Sequence, residues 1–132
     1  MTRLKYTGMA DEVMEQQKFL LTILLSPALF GRLLDAGCTV TATTMNEFHD
    51  YPTDSVLRKV MDHGHQPSLG VDVEAMVAGD LWREMQTALL FARNEGLRAN
   101  RPDAMVASRT ALGWVTTAGA RALMMERDIG RL

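Results

Sequence analysis

Three ionisable side chains follow the two segments of this chain that are most typical of β-strands. Asp72 ends one segment, and Glu47 and His49 come shortly after the other. Carboxylates and imidazoles can hold a divalent metal ion, or accept a proton from a metal-bound water molecule. Each residue also has a structural interpretation: Asp72 as a helix N-cap or loop carboxylate, and Glu47 and His49 as solvated loop residues.

Two further histidines lie close together in the sequence His63-Gly64-His65. Together with His49 and Asp72 they define a candidate for an independent metal site, but geometry rather than the number of histidines decides ligation. The structural interpretation is that His63 lies at a helix C-terminus, where the helix dipole favours a cation, and that Gly64 ends the helix. We favour the structural interpretation.

The elements that would position Asp72 form a strand–helix–strand pattern. The alternating threonine and valine of residues 38–44 predict a strand, because β-branched residues favour extended backbone. A polar loop over residues 46–51 follows. Val56–Asp62 has apolar residues at helical spacing, and residues 66–72 predict a short buried strand. This βαβ order implies parallel strands and a right-handed crossover.

Helices account for the rest of the predicted structure. A polar front half and an apolar stripe predict a helix over residues 10–25, and Ser26, as N-cap before a proline, predicts a second helix that ends at Gly37. Three more helices are predicted over residues 81–95 (capped by Asp80 and closed by Gly96), from Ser108 to residue 115, and over residues 117–125. Trp82 and Trp114 fall on these helices and are expected to be core anchors.

Composition narrows the class of protein. The 132 residues are 47% hydrophobic and 23% charged, which predicts one globular domain and excludes low-complexity disorder. The net charge of −2 argues against a nucleic-acid partner, and we expect the basic group Arg93, Arg98, Arg101 and Arg109 to be a solvated face. A single cysteine, Cys38, fits a reducing compartment. No apolar run approaches the roughly 20 residues of a membrane span, so we expect a cytoplasmic protein without a membrane partner.

A sheet of two parallel strands is incomplete by itself. Parallel sheets need cover on both faces and normally contain more strands. Either helices wrap a very small sheet, or the pair requires strands from elsewhere. A homo-oligomer that covers the exposed strand edges is one way in which such strands could be supplied.

Several stretches of the sequence occur in an order and spacing that is typical of one enzyme family. They are Leu33-Leu-Asp-Ala-Gly-Cys-Thr-Val40, Val56-Leu-Arg-Lys-Val-Met-Asp-His-Gly64, Pro67-Ser-Leu-Gly-Val-Asp72, Gly79-Asp-Leu-Trp-Arg-Glu-Met85 and Ala111-Leu-Gly-Trp-Val-Thr-Thr-Ala-Gly-Ala-Arg-Ala-Leu123. Together they resemble the C-terminal part of a metal-dependent amidohydrolase barrel, in the branch of cytosine deaminases and chlorohydrolase-like enzymes. The resemblance covers residues 26–132 and leaves residues 1–25 as a divergent N-terminal helix.

This resemblance implies a fold, a cofactor and a reaction. The fold class is α/β, with the βαβ unit as the last two strands of a TIM-type barrel, followed by C-terminal helices. The family aspartate matched by Asp72 contacts the metal and takes a proton from its bound water, while Glu47 and His49 would face the substrate at the mouth of a complete barrel. The implied cofactor is a divalent metal, Zn or Fe. The implied reaction is hydrolysis of a carbon–nitrogen bond, such as deamination, in a small heterocyclic or guanidine-like amine.

The chain also departs from the family pattern. A complete barrel needs about 250 residues, whereas this sequence matches only the last two strands and the helices after them. The family's His-x-His pair on the first strand, and its histidines on the fifth and sixth strands, have no counterpart. We therefore expect that this chain alone neither retains the metal nor catalyses the reaction. The alternative interpretation is a noncatalytic helical module that dimerises to cover its strands.

Overall fold

The computed structural model describes residues 26–50, 55–77, 79–101 and 105–131. These residues form a mostly helical α/β structure with a parallel sheet of two strands, as the α/β prediction requires. The elements are α1 (Pro27–Asp35), β1 (Thr41–Ala42), α2 (Thr44–Asp50), α3 (Val56–Asp62), β2 (Ser68–Leu69), α4 (Leu81–Arg98), α5 (Ser108–Val115) and α6 (Thr117–Ala122). The helix predicted over residues 10–25 lies outside the described residues.

Helix α1 begins and ends as its sequence predicts. Ser26 is the N-cap, and its Oγ accepts a hydrogen bond from the N–H of Leu29 at 3.4 Å, while Pro27 occupies the first helical position. Gly37 follows the helix at φ = +85°, a left-handed conformation that glycine adopts without steric cost. These two ends fix where the chain turns towards β1.

Strands β1 and β2 pair in parallel, which confirms the prediction from the βαβ order. Thr41 lies opposite Ser68, and their hydroxyl oxygens are 2.7 Å apart, within hydrogen-bond distance across the ladder. Each strand is two residues long. The predicted strands over residues 38–44 and 66–72 are therefore correct in type and too long.

The first strand is short because the chain enters helix α2 almost directly after it. The predicted polar loop over residues 46–51 is wrong, since the described part of this stretch is helical. The first N–H groups of α2, those of Thr44 and Met45, are bound by the carboxylate of Glu84 in α4. A carboxylate at this position stabilises a helix start, and a partner 40 residues away in the chain is not visible in the local sequence.

Helix α3 and the turn after it follow the prediction, with the same bounds. Its N-cap is Ser55, whose Oγ accepts from the N–H of Arg58 at 3.1 Å. His63 is the C-cap and Gly64 adopts φ = +77°. The imidazole Nδ1 of His63 donates to the carbonyl oxygen of Lys59 at 2.8 Å, so this histidine completes the helix end.

Helix α4 is longer than predicted. Its sequence indicates an end before Gly96, but the helix continues to Arg98, and the residue with left-handed backbone is Asn100, at φ = +53°. Gly96 is instead the last member of a buried stripe with a spacing of four residues, formed by Glu84, Ala88, Ala92 and Gly96. The glycine therefore serves packing rather than termination. Helix α4 packs against α5 and α2.

The two tryptophans have opposite environments. Trp114 is fully buried in the core, and its indole Nε1 donates to the side-chain oxygen of Gln66 at 3.1 Å, which confirms its prediction as a core anchor. Trp82 is 66% exposed, so its predicted burial is wrong. It lies about 200° around α4 from Glu84, on the face opposite the buried stripe.

The two C-terminal helices, α5 and α6, pack against the sheet. Helix α6 ends at Ala122, earlier than the predicted residue 125, and Met124 follows with left-handed backbone at φ = +56°. Both α5 and α6 contact β2. None of the helices in the described ranges is long and apolar enough to cross a bilayer.

Candidate functional site at the carboxyl ends of the strands

A side-chain hydrogen bond joins the segments that leave β1 and β2. Nδ2 of Asn46, in α2, donates to Oδ2 of Asp72 at 2.9 Å. Asn46 is buried, whereas Asp72 is exposed, in the loop after β2, with φ = +66°. Aspartate tolerates this left-handed conformation better than most residues. Asp72 therefore lies beyond the carboxyl end of β2, on the side of the sheet where the sequence places it.

Glu47 lies in α2 with both carboxylate oxygens bound to backbone N–H groups. Oε1 accepts from Thr43 at 3.0 Å, and Oε2 accepts from Val56 at 3.0 Å. The residue is only 4% exposed. Glu47 therefore links the start of α2 to the start of α3, and its carboxylate stabilises the fold around the strand ends rather than facing solvent.

The three histidines lie in different settings. His49 is exposed in the last turn of α2. His63 ends α3, and its ring lies edge-on to Phe30 with 5.7 Å between ring centroids. His65 is half-buried in the segment before β2. Nothing in the described residues brings these three imidazoles together with an acidic side chain as a metal-binding group.

Glu84 is the most buried charged residue of the described structure, and it is not among the candidate residues that the sequence motifs indicate. It is 0% exposed, and its carboxylate binds the N–H groups of Thr44 and Met45, the latter at 3.2 Å. The signal that could have identified it is the spacing of Ala88, Ala92 and Gly96. Extending this small-residue stripe by one turn towards the N-terminus places Glu84 on the buried face.

A second carboxylate of α4 reaches the segment before α3. Oε2 of Glu95 accepts a hydrogen bond from the hydroxyl of Ser55 at 3.1 Å, and Oε1 accepts from its N–H at 3.5 Å. Helix α4 thus contacts the starts of both α2 and α3 through acidic side chains. Through α2, this network holds Asn46 beside the loop of Asp72.

Burial controls the protonation of the two innermost carboxylates. Desolvation raises the pKa of Glu47, and the hydrogen bonds from Val56 and Thr43 and the positive charge of Lys59 oppose the rise. Desolvation likewise raises the pKa of Glu84, against its backbone hydrogen bonds, and the negative charge of Glu47 adds to the rise. These groups bind protons more readily in the folded protein than a glutamate in water does.

The segment that follows β1 also contains buried polar atoms that have no partner among the described residues. Thr43 Oγ1 and Asn46 Oδ1 are buried and make no hydrogen bond within the described structure. Buried oxygens of this kind normally have a partner. These two oxygens can therefore accept a hydrogen bond from a water molecule or from a group outside the described residues.

The donor atoms at this edge do not fit a divalent metal ion by themselves. Zinc sites use three or four closely placed nitrogen, sulfur or carboxylate ligands. The described ranges contain no group of three or more His, Cys, Asp or Glu side chains with that placement. Asp72 has an amide as its neighbour, and Glu47 is occupied by backbone N–H groups. Neither a scan against protein-family models nor a search of curated proteins gives a match for this chain.

Proposed function

We propose that this chain corresponds to the C-terminal part of a metal-dependent amidohydrolase barrel, in the cytosine-deaminase and chlorohydrolase-like branch. The observation that carries the proposal is the parallel pair β1–β2 with Asp72 after its second strand and Asn46 bound to that carboxylate. Residues that carry chemistry in TIM-type barrels lie at the carboxyl ends of the strands. The motifs over residues 33–40, 56–64 and 67–72 fall on this same part of the structure.

Two further features support a barrel edge. The described part of the connection between β1 and β2 contains helices α2 and α3, and helical crossovers are usual between parallel strands. Each strand is two residues long, and Thr43 Oγ1 and Asn46 Oδ1, which follow β1 in the chain, are buried with no hydrogen-bond partner among the described residues. Both features fit a segment that adjoins further strands.

The parent activity in this proposal is hydrolysis of a carbon–nitrogen bond in a small heterocyclic or guanidine-like amine. Asp72 would be this chain's contribution to the active site, with His49 near the substrate and Glu47 supporting α2. The metal, Zn or Fe, would need ligands from other strands. The chain alone is therefore expected to be inactive.

The first experiment measures metal content and turnover of the purified chain. After incubation with zinc or iron salts and desalting, we expect less than stoichiometric metal and no ammonia release from cytosine, guanine or triazine substrates. Stoichiometric, tightly held metal together with turnover would contradict the expected inactivity of the isolated chain.

The second experiment tests the barrel assignment itself. A cytosine deaminase truncated before its last two strands is co-expressed with this chain, either wild type or with Asp72→Asn. We expect ammonia release from cytosine with the wild-type chain only. Equal activity with Asp72→Asn would show that Asp72 does not take part in the reaction. If the two chains form no complex in gel filtration, the barrel assignment loses its support and the second candidate function is favoured.

The second candidate is a noncatalytic helical module that forms a dimer. The observation in its favour is a row of exposed apolar side chains on α4, at Trp82, Leu90 and Leu97, each at least 64% exposed. Apolar surface of this kind marks interaction sites. A monomer in gel filtration that melts cooperatively would contradict it, whereas a dimer that dissociates on Leu90→Gln would support it.

A further inference from the structure

A cleft of about 560 Å³ lies between α3 and the C-terminal half of α4, and Asp72 is not among its described lining residues. Its walls carry four cationic side chains, those of Arg58, Lys59, Arg98 and Arg101. Asp62 and Glu95 are the two carboxylates among its lining residues. The described lining residues therefore carry an excess of two positive charges, on a chain whose net charge is −2.

The two carboxylates do not neutralise the cations evenly. A single oxygen of Asp62, Oδ1, lies 3.1 Å from the guanidinium of Arg58 and 3.1 Å from that of Arg101. Glu95 binds Ser55. Among the described residues, neither Lys59 nor Arg98 forms an ion pair, although the charge of Lys59 also lowers the pKa of Glu47.

The cleft is partly preorganised. The side chain of Arg58 is only 13% exposed, so much of the entropy of fixing its guanidinium is already lost in the folded protein. Arg101 and Asp62 are more exposed, at 47% and 40%, and an exposed ion pair contributes little stability. An incoming anion can therefore replace Asp62 as the partner of Arg101 at small cost.

We propose that this cleft binds a small phosphate monoester. A phosphate monoester carries a charge of about −1.5 to −2 at neutral pH, which matches the excess charge of the cleft. Guanidinium groups bind phosphate oxygens through paired N–H groups. The volume lies in the range of about 300–1,000 Å³ that is typical of small-molecule sites. Phe91 and Asn94 also line the cleft and provide an aromatic surface and an amide for the organic part of the ester.

The four arginines that the sequence predicts as one solvated face have different environments, because only Arg98 and Arg101 line the cleft. Arg93 does not line the cleft: its Nε donates to the carbonyl oxygen of Val106 at 2.8 Å, and it joins α4 to the segment before α5. Arg98 and Arg101 instead join Arg58 and Lys59, which come from a distant part of the sequence. The proposed site does not depend on the amidohydrolase assignment.

Isothermal titration of the full chain at low salt tests the site, with phenyl phosphate and inorganic phosphate as probes. We expect phenyl phosphate to bind, and Arg98→Gln combined with Arg101→Gln to weaken binding by about tenfold or more. Arg98→Gln alone serves as a milder variant, because that side chain makes no ion pair in the described structure. Arg109→Gln combined with Arg127→Gln removes the same charge outside the cleft, and we expect it to change affinity by about twofold at most.

Each remaining outcome overturns the proposal. Equal weakening by the cleft and control variants would mean that only net charge attracts the ligand. Equal affinity for inorganic phosphate would assign the site to the free ion. Tighter binding of a single-stranded oligonucleotide, lost in the same variants, would assign it to nucleic acid. Absence of binding by phenyl phosphate at millimolar concentration would remove the site altogether.

Discussion

Replacement of Glu84 by alanine is expected to destabilise this protein more than any exposed substitution in the same helix. The carboxylate is 0% exposed and binds the N–H groups of Thr44 and Met45 at the start of α2. Glu84→Ala leaves the buried N–H of Thr44 and the partly buried N–H of Met45 without this partner. It also removes one of the contacts between α2 and α4, and leaves the ring contact between Phe48 and Phe91 in place.

The size of the loss follows from these two donors. A buried donor left unpaired costs about 1–3 kcal/mol. Removal of a desolvated charge, and of its repulsion with Glu47, offsets part of this cost, so we expect a net loss of roughly 2–4 kcal/mol. Glu84→Gln keeps one oxygen acceptor and should lose roughly half as much.

Urea denaturation followed by circular dichroism measures the difference. The control is Gln86→Ala, an exposed position in the same helix, which removes a side chain of similar length and has a similar effect on helix propensity. A free energy of unfolding for Glu84→Ala within about 0.5 kcal/mol of the control would refute the assignment of Glu84 as the residue that holds the start of α2.

The remaining predictions concern pH and backbone conformation. Burial raises the pKa of Glu47 above the usual value near 4.5. At pH values between 4.5 and the raised pKa, the carboxyl group is therefore protonated more often in the folded protein than in the unfolded chain. The free energy of unfolding should therefore fall as pH rises from 4.5 through the raised pKa, and Glu47→Gln should flatten this fall in urea titrations; an unchanged slope would contradict the cause. Gly130→Ala would place a Cβ 2.5 Å from Cβ of Ala120, whereas Gly64→Ala meets no atom within 4 Å, although both glycines have positive φ. The first should lose about 1–3 kcal/mol more than the second, and equal losses would exclude the clash.

Local sequence signals predicted the helix ends well where the partners were also local. Ser26 caps α1 through the N–H of Leu29, and His63 with Gly64 ends α3. In each case the stabilising contact lies within four residues of the boundary. Such contacts are recorded directly in residue types and spacing.

Predictions failed where a distant residue decides the local structure. Residues 38–44 favour a strand by composition, but α2 begins at Thr44 because Glu84 binds its first N–H groups. Gly96 is a typical helix terminator in sequence, yet it is buried within α4. The choice between these alternatives depends on tertiary packing, which outweighs a difference in propensity of roughly 1 kcal/mol or less per residue.

The candidate site was predictable in part for the same reason. Asp72 could be placed beyond the second strand from the βαβ order alone. The burial of Glu47 could not, because it depends on the N–H of Val56, at the start of another helix. The cleft of Arg58 and Arg101 joins residues far apart in the chain, and the sequence shows only a basic group around one loop.

Three buried or partly buried carboxylates contribute more than the two-stranded sheet to the position of the segments that follow β1. Two strands of two residues each contribute few ladder hydrogen bonds, whereas Glu84, Glu95 and Glu47 together accept hydrogen bonds from two segments, the start of α2 and the start of α3. Because Asn46 lies in α2, the contact between Asn46 and Asp72 is held by α4 through Glu84. A change at Glu84 should therefore alter the environment of Asp72, although the two residues are on different elements. The same buried carboxylates therefore stabilise the fold and hold the residues around Asp72 in place.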